Sequence, residues 1–221
     1  MGDIINIGTS GTQCISAYRA KPKGTPKGGI VVVQEIFGVN PHIRSVVDSY
    51  AEAGYTAIAP AVFDHLETGV ELGYDQAGMQ KGIALIGELG FDRALEDVAS
   101  AAEAIKGAGR IGVVGFCWGG SVAYLAAIRL GLPAVSYYGG RNTQLTGYQA
   151  KAPLMFHYGL KDAHIGEADR EQVRKANPDA GFHVYDADHG FNCDARASYD
   201  AAAAGLARER TLAFFARHLA A

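Results

Sequence analysis

The sequence contains little of what several classes of protein require. Its 221 residues carry a formal net charge of −3 and no run of like charges, so no basic surface of the kind that binds nucleic acid is expected. Its apolar runs fall short of the roughly 20 consecutive residues that cross a bilayer. The N-terminus lacks a basic segment followed by an apolar stretch, so no secretory signal is visible. We therefore expect a cytoplasmic protein with no nucleic-acid or membrane partner.

Cysteine is scarce as well. The three cysteines, Cys14, Cys117 and Cys193, are too few and too scattered for a disulfide framework or a C-x-x-C metal site. No group of histidines and carboxylates has the spacing of metal ligands, and we expect neither a metal nor another cofactor. A single cysteine with histidine and aspartate elsewhere in the chain is instead a candidate nucleophile.

One short stretch has the features of a turn that presents a nucleophile. The apolar run at residues 111–114 leads into Gly115-Phe116-Cys117-Trp118-Gly119, which has the G-x-S-x-G spacing with cysteine in the place of serine. Glycines at those positions let a strand and the following helix approach each other closely. Two other interpretations are open at this point. The cysteine could be a buried small hydrophobe, or the glycines could begin a dinucleotide site, although the G-x-G-x-x-G spacing is not met.

The rest of the chain alternates between short apolar strands and helices. Strands are predicted at residues 13–19 (as an edge strand), 30–33, 55–60, 111–115, 133–140, 152–159 and 182–186. Helices are predicted at residues 41–53, 75–87, 92–106, from 118 onward, 167–176 and 199–219. This alternation predicts an α/β fold with a mostly parallel sheet and helices on both faces. The length suits a single domain over residues 1–221 with no cap domain.

Candidate partners of Cys117 follow two of the later predicted strands. Asp162 comes shortly after the strand at 152–159, and His189 follows the strand at 182–186. Ligands of parallel sheets bind at the carboxyl ends of the strands. The order nucleophile, acid, histidine is that of the α/β-hydrolase triad. In that arrangement the histidine accepts the proton of the thiol, and the aspartate orients the ring.

The same arrangement predicts an oxyanion hole built from backbone N–H groups. One donor is expected from Trp118, directly after the nucleophile, and the second from the loop after the strand at 30–33, where Ile36 is the candidate. Losing such a donor typically costs about 3–4 kcal/mol of transition-state stabilisation.

Four segments in this order resemble the dienelactone hydrolases (carboxymethylenebutenolidases) of the α/β-hydrolase superfamily. They are QEIFGVN at residues 34–40, GFCWGG at 115–120, GLKD at 159–162 and HGF at 189–191. The resemblance implies a single-domain α/β-hydrolase in which Cys117, Asp162 and His189 form the triad and Glu35 contacts the resting thiol. It also implies a small ester or lactone as substrate, cleaved through an acyl-enzyme on the cysteine. We expect a monomer or a homodimer.

The sequence departs from this family at the positions that bind substrate. Relatives that act on dienelactone resemble one another in holding its carboxylate with two arginines. In this chain no arginine follows His189 until Arg196, and the region 75–82 offers only Lys81. A lysine lacks the planar fork that binds a carboxylate through two hydrogen bonds, so another small ester or lactone is favoured over dienelactone. The side chains expected to bind substrate are Phe37, Lys81, Tyr137 and Phe191.

Two further functions are open from the sequence. A general carboxylesterase or thioesterase would use the same triad. A non-catalytic protein could instead sense oxidants through the thiol of Cys117. Such a sensor would not need His189, and it would need a resolving cysteine nearby.

Overall fold

The computed structural model describes residues 2–8 and 14–220. It divides into two compact units, an N-terminal unit of residues 1–112 with 219–221 and a C-terminal unit of residues 113–218. The expectation of one domain over the whole chain stays a prediction. Within the described residues, no helix is both long enough and apolar enough to span a membrane.

The N-terminal unit combines four strands with two helices. The strands are β1 (Asp3–Gly8), β2 (Cys14–Ala20), β3 (Gly29–Val33) and β4 (Thr56–Pro60), and the helices are α1 (Pro41–Glu52) and α2 (Gln76–Ala104). The strand order is β1-β2-β4-β3, in which β1 and β4 both run antiparallel to β2 and β3 runs parallel to β4. Every residue of β3 and β4 is buried, as expected for strands read from continuous apolar runs.

The C-terminal unit holds a fully parallel arrangement. Its strands are β5 (Ile111–Phe116), whose first two residues belong to the N-terminal unit, β6 (Ala134–Tyr137), β7 (Leu154–Gly159) and β8 (Gly181–Tyr185). Its helices are α3 (Trp118–Arg129), α4 (Glu167–Ala176) and α5 (Ala201–His218). The strands pair in the order β5-β6-β7-β8, all parallel. Their carboxyl ends therefore lie at one edge.

Most predicted elements are confirmed to within a few residues. The helix at 167–176 is found with the predicted bounds, and α1 begins at Pro41 after Asn40, whose side chain accepts a hydrogen bond from the N–H of Ile43 at 3.1 Å. The helices predicted at 75–87 and 92–106 form the single span α2, which is interrupted at Gly90, where φ is +72°. Residues 61–74, between the predicted strand at 55–60 and the predicted helix at 75–87, contain a 3₁₀ turn at Val62–His65.

The prediction that the first strand lies at the sheet edge is wrong. β2 pairs with β4 on one side and with β1 on the other, so β1 is the outer strand. β1 gives a weak sequence signal because it is largely exposed, with Ile4 at 72% exposure and Ile7 buried. Residue 13, the predicted start of the strand, lies outside the described residues.

Candidate active site

Cys117 occupies a strained turn between β5 and α3. Its φ of +56° and ψ of −120° are unusual for a residue with a side chain. Its backbone N–H donates to the carbonyl oxygen of Tyr137 at 3.0 Å, which fixes the turn against the end of β6. The thiol is partly exposed, as reactive cysteines are, whereas Cys193 is buried. The turn predicted from the glycine spacing is therefore present.

The glycine at position 115 is required by a close backbone approach. A Cβ atom there would lie 1.8 Å from the carbonyl oxygen of Gly119. Gly115→Ala must move the strand or the helix, and we expect it to lower the free energy of unfolding by at least about 3 kcal/mol. Gly205→Ala is the matched control, because position 205 is in α5 with no atom within 4 Å of the added Cβ. It should stabilise the protein by about 0.5–1 kcal/mol. Urea unfolding of both variants checks this, and equal effects would contradict it.

Backbone hydrogen bonds join the loops that follow β7 and β8. The N–H groups of Leu160 and Lys161 donate to the carbonyl oxygens of Tyr185 and Ala187 at 2.7 and 3.0 Å. Gly159 makes this approach possible, since a Cβ there would lie 2.4 Å from the oxygen of Ala187. The loop carrying Asp162 is thereby held beside the loop carrying His189.

Asp162 and His189 form a buried hydrogen-bonded pair. The Nδ1 atom of His189 lies 2.8 Å from Oδ2 of Asp162, and this carboxylate side chain is fully buried. Its Oδ1 atom accepts hydrogen bonds from the N–H groups of His164 and Ile165 at 2.8 and 3.2 Å. Burial alone would raise the pKa of Asp162, but the hydrogen bond and charge of His189 outweigh it and lower the pKa below its ordinary value. The carboxylate thus stays ionised and oriented toward the ring.

The ring of His189 also hydrogen-bonds to the side chain of Cys117. Burial by itself would lower the pKa of His189. The negative charge that Cys117 can carry and the hydrogen bond to Asp162 more than offset burial and raise the pKa to about 10. At neutral pH the imidazole in this cluster therefore holds a proton. The structure brings together Cys117, His189 and Asp162, the three residues predicted as a triad.

Two residues beside His189 were missed by the sequence analysis. The ring of Tyr138 lies 5.1 Å from that of His189, and the ring of His164 lies edge-on to it at 5.4 Å. Tyr138 is one of two described residues other than glycine with positive φ, at +38°. The sequence did offer a signal for each residue. Tyr138 is an aromatic residue before two glycines at the end of a strand, and His164 comes two residues after the candidate acid.

Two histidines inside strands have structural surroundings. His157 in β7 is buried and hydrogen-bonds through Nδ1 to the hydroxyl of Tyr185 at 2.8 Å and through Nε2 to that of Thr211 at 3.1 Å. Its burial, with the nearby charges of His183 and Arg210, lowers its pKa well below the ordinary value. His157 is therefore a neutral member of the core. The His183 ring stacks on that of His157.

The predicted site residues from the N-terminal unit follow β3 directly. Glu35 is fully buried, and its carbonyl oxygen accepts a hydrogen bond from the side chain of Gln34 at 3.3 Å. Ile36 and Phe37 are also buried, and the ring of Phe37 meets that of Tyr74 edge-on at 4.6 Å. Glu35 is thus no solvated loop carboxylate. Its contact with the thiol, and the role of Ile36 as a donor, stay predictions.

The predicted substrate-binding residues lie in different surroundings. Lys81 is exposed and forms an ion pair with Glu67 at 2.8 Å. Tyr137 and Phe191 are buried, and the hydroxyl of Tyr137 hydrogen-bonds to Thr211 at 2.7 Å. Their roles as pocket walls stay predictions.

Arg196 packs against Gly190, the residue that follows the candidate histidine. A Cβ added to Gly190, the residue after His189, would lie 2.5 Å from a terminal nitrogen of Arg196. The guanidinium therefore packs on the glycine backbone, one residue from the ring. An arginine thus contacts the segment that carries the histidine, despite the altered spacing in the sequence.

Comparison with known proteins agrees with this arrangement. The sequence pattern of the Dienelactone hydrolase family matches residues 15–219. A relative from Azospirillum brasilense, provisionally named carboxymethylenebutenolidase, is 35% identical over 97% of this chain and 98% of its own. One of the same provisional name from Synechocystis sp. is 34% identical over 93% and 92%. A crystal structure from Klebsiella pneumoniae, provisionally named dienelactone hydrolase, matches with a TM-score of 0.84 at 30% identity over 98% of both chains.

These similarities extend over nearly the whole chain and support a common fold and reaction type. They confirm the predicted α/β-hydrolase fold with its mostly parallel strands, and they identify the protein as a hydrolase acting on an ester or lactone. The chain belongs to the dienelactone hydrolase family of the α/β-hydrolase superfamily.

Proposed function

We propose that this chain hydrolyses a small ester or lactone through a covalent acyl-enzyme on Cys117, with His189 and Asp162 as the other members of a catalytic triad. One observation carries the proposal. The ring of His189 hydrogen-bonds to Asp162 at 2.8 Å and also to Cys117, whose thiol is partly exposed on a strained turn. A histidine held between an acid and an accessible nucleophile is the arrangement that covalent catalysis requires.

In the first step the sulfur attacks the substrate carbonyl carbon as a thiolate. Its charge is paired with His189, whose raised pKa of about 10 keeps the ring protonated at neutral pH. When the tetrahedral intermediate collapses, the C–O bond to the leaving group breaks and the imidazolium donates its proton to the departing alkoxide oxygen. The products of this step are a thioester on Cys117 and a free alcohol. In a lactone the alcohol remains joined to the acyl group.

In the second step the now neutral ring of His189 accepts a proton from water. The resulting hydroxide attacks the thioester carbonyl, and the C–S bond breaks to release the carboxylic acid and the thiolate. The ring is again protonated, so the thiolate–imidazolium pair that began the reaction is restored. Asp162 stabilises the charged ring and fixes its orientation in both steps.

The negative oxygen of each tetrahedral intermediate needs hydrogen-bond donors. We assign this role to the backbone N–H groups of Trp118, the first residue of α3, and of Ile36. Glu35 is proposed to contact the thiol before substrate binds and to accept its proton when substrate enters. The burial of Glu35 supports a role that is not simply solvation.

Arg196 supplies a test of substrate charge. Because its guanidinium packs on Gly190 beside His189, an ester whose acyl group bears a carboxylate can pair with it. Arg196→Ala should raise KM for p-nitrophenyl hemisuccinate about tenfold, the effect of one lost charge-assisted contact. The neutral p-nitrophenyl acetate controls for damage to the histidine and should be hydrolysed unchanged. An equal rise in KM for both esters in Arg196→Ala would exclude this role. Lys81→Ala, measured with the same two esters, tests the exposed lysine in the same way.

The structure offers less support for an oxidant sensor. Such a protein needs a second cysteine that Cys117 can reach, and Cys193 is fully buried while Cys14 is the first residue of β2. The pairing of His189 with Asp162 would also have no use in a sensor. A hydrolase explains both features.

A burst experiment tests the proposal. Mixing the protein with p-nitrophenyl acetate should release p-nitrophenol in a rapid phase whose amplitude equals the enzyme concentration, followed by slower turnover. Cys193→Ala should keep this burst, because its thiol is not the nucleophile. A folded protein that gives neither burst nor turnover would overturn the proposed reaction.

Several expectations stay predictions beside this reaction. They are the single domain over residues 1–221, the cytoplasmic location, the state as a monomer or a homodimer, and the absence of a nucleic-acid partner.

A further inference from the structure

A groove in the C-terminal unit lies at the opposite ends of the strands from the triad. Its cavity has a volume of about 540 Å³, within the usual range for small-ligand sites. The beginnings of two strands form part of it, through Leu154 and Met155 of β7 and Gly181 of β8. Asp162 and His189 follow the carboxyl ends of these two strands, so the groove is distinct from the candidate active site.

One face of α5 forms the other wall. Arg210, Ala213, Phe214, Arg217 and His218 all line the cavity. Their spacing of three, four, seven and eight residues places them on the same side of a helix. Ala213 and Phe214 are apolar, and the two arginines flank them about 10 Å apart along the helix axis. The wall is thus apolar at its centre and cationic at both ends.

The charges of the groove favour an anion. Arg217 is exposed and, among the described residues, makes no ion pair. Arg210 is partly engaged, because it donates to the hydroxyl of Tyr185 at 3.1 Å. Burial, and then the charge of Arg217, lower the pKa of His218, which is therefore neutral at pH 7. The lining also contains the acidic residue Asp179, whose charge opposes those of the two arginines, Arg210 and Arg217.

A second cavity lies next to the groove. This neighbour has a volume of about 420 Å³ and shares Pro153, Leu154 and Asp179 with the first. Small apolar side chains form much of its lining: Ala150, Ala152, Ala176, Pro178 and Ala180. A linear apolar chain could extend from the first cavity into the second.

We propose that this groove binds a medium-chain carboxylate. The carboxylate pairs with the guanidinium of Arg217, whose planar fork suits two parallel hydrogen bonds. The hydrocarbon chain covers Leu154, Met155 and Phe214 and extends toward Pro153. Charge complementarity at one end and the apolar surface of Leu154, Met155 and Phe214 beside it select an amphipathic anion over an uncharged or highly polar molecule. The site does not depend on the proposed reaction at Cys117.

Calorimetric titration of the full chain with decanoate tests the site. We expect saturable binding that weakens at least about tenfold in Arg217→Glu, since that change replaces attraction by repulsion. Lys23→Glu makes the same change in net charge at an exposed residue that lines neither cavity and should leave binding unchanged. Arg217→Lys keeps the charge but loses the planar fork. Its affinity for decanoate should therefore lie between those of the wild type and Arg217→Glu. Ala213→Trp, at an exposed position, should block the groove without filling the core.

The outcomes separate the groove from the active site. Weaker binding in Arg217→Glu and Ala213→Trp, with p-nitrophenyl acetate hydrolysis unchanged, supports the proposal. Absence of saturable binding would overturn it. Binding that persists in both variants and is lost when Cys117 is alkylated would also overturn it, by placing the carboxylate at the active site. Neither result depends on the burst experiment.

Discussion

Cys117→Ala is expected to lower kcat/KM for p-nitrophenyl acetate by about four orders of magnitude or more, because no thioester can form. The side chain is partly exposed and lies on a turn whose strained backbone the smaller residue can also occupy. We therefore expect the variant to fold. Steady-state hydrolysis measured alongside urea unfolding distinguishes loss of chemistry from loss of structure.

Cys14→Ala is the matched control for this variant. Cys14 is exposed at the start of β2, so its replacement should leave both activity and stability within experimental error. If Cys117→Ala retained a tenth of the wild-type activity, the covalent mechanism would have to be abandoned. A general base acting directly on water would then be required.

The second large effect concerns His189. Replacing it by glutamine removes the proton donor for the leaving group and the base for deacylation, and we expect kcat to fall by about 10³–10⁴-fold. The kcat of Asp162→Asn should fall by a similar factor, because the amide can hold the ring of His189 in the wrong tautomer. Wild-type activity in His189→Gln would contradict the proposed role of the imidazole.

The raised pKa of His189 gives this prediction a second readout. Titration of the histidine rings followed by NMR should show one ring losing its proton near pH 10. That signal should be absent from His189→Gln. In Cys117→Ala the midpoint should move to lower pH, because one of the two groups that raise the pKa is removed while burial still lowers it. A midpoint unaffected by Cys117→Ala would show that the two side chains do not interact.

The positions of most strands along the chain could be predicted from the sequence because they depend on local patterns. The buried strand β3 follows from its apolar run, and α1 from Asn40 and Pro41 at its start. The candidate triad followed from three strand exits, and the structure brings Cys117, Asp162 and His189 together. β1 was missed because so little of it is buried.

Other features of the site depend on long-range contacts that the sequence does not show. The positive φ of Tyr138 and its packing on His189 arise where separate strand exits meet. Arg196 is seven residues from His189 in the chain, yet its guanidinium rests on Gly190 because the intervening segment turns back. Counting residues from the histidine identified Arg196 as the next arginine but could not show this contact. Lys81, at a position favoured by the sequence, pairs with Glu67 instead.

The central claim is that the acyl group is carried by Cys117, and intact-protein mass spectrometry tests it most directly. Protein quenched in acid during the p-nitrophenyl acetate burst should gain the mass of one acetyl group, and peptide mapping should place that group on Cys117. The same quench of His189→Gln should show much slower acetylation of this residue. Full turnover with no acyl group on Cys117, or acetylation of another residue with burst kinetics, would contradict the account.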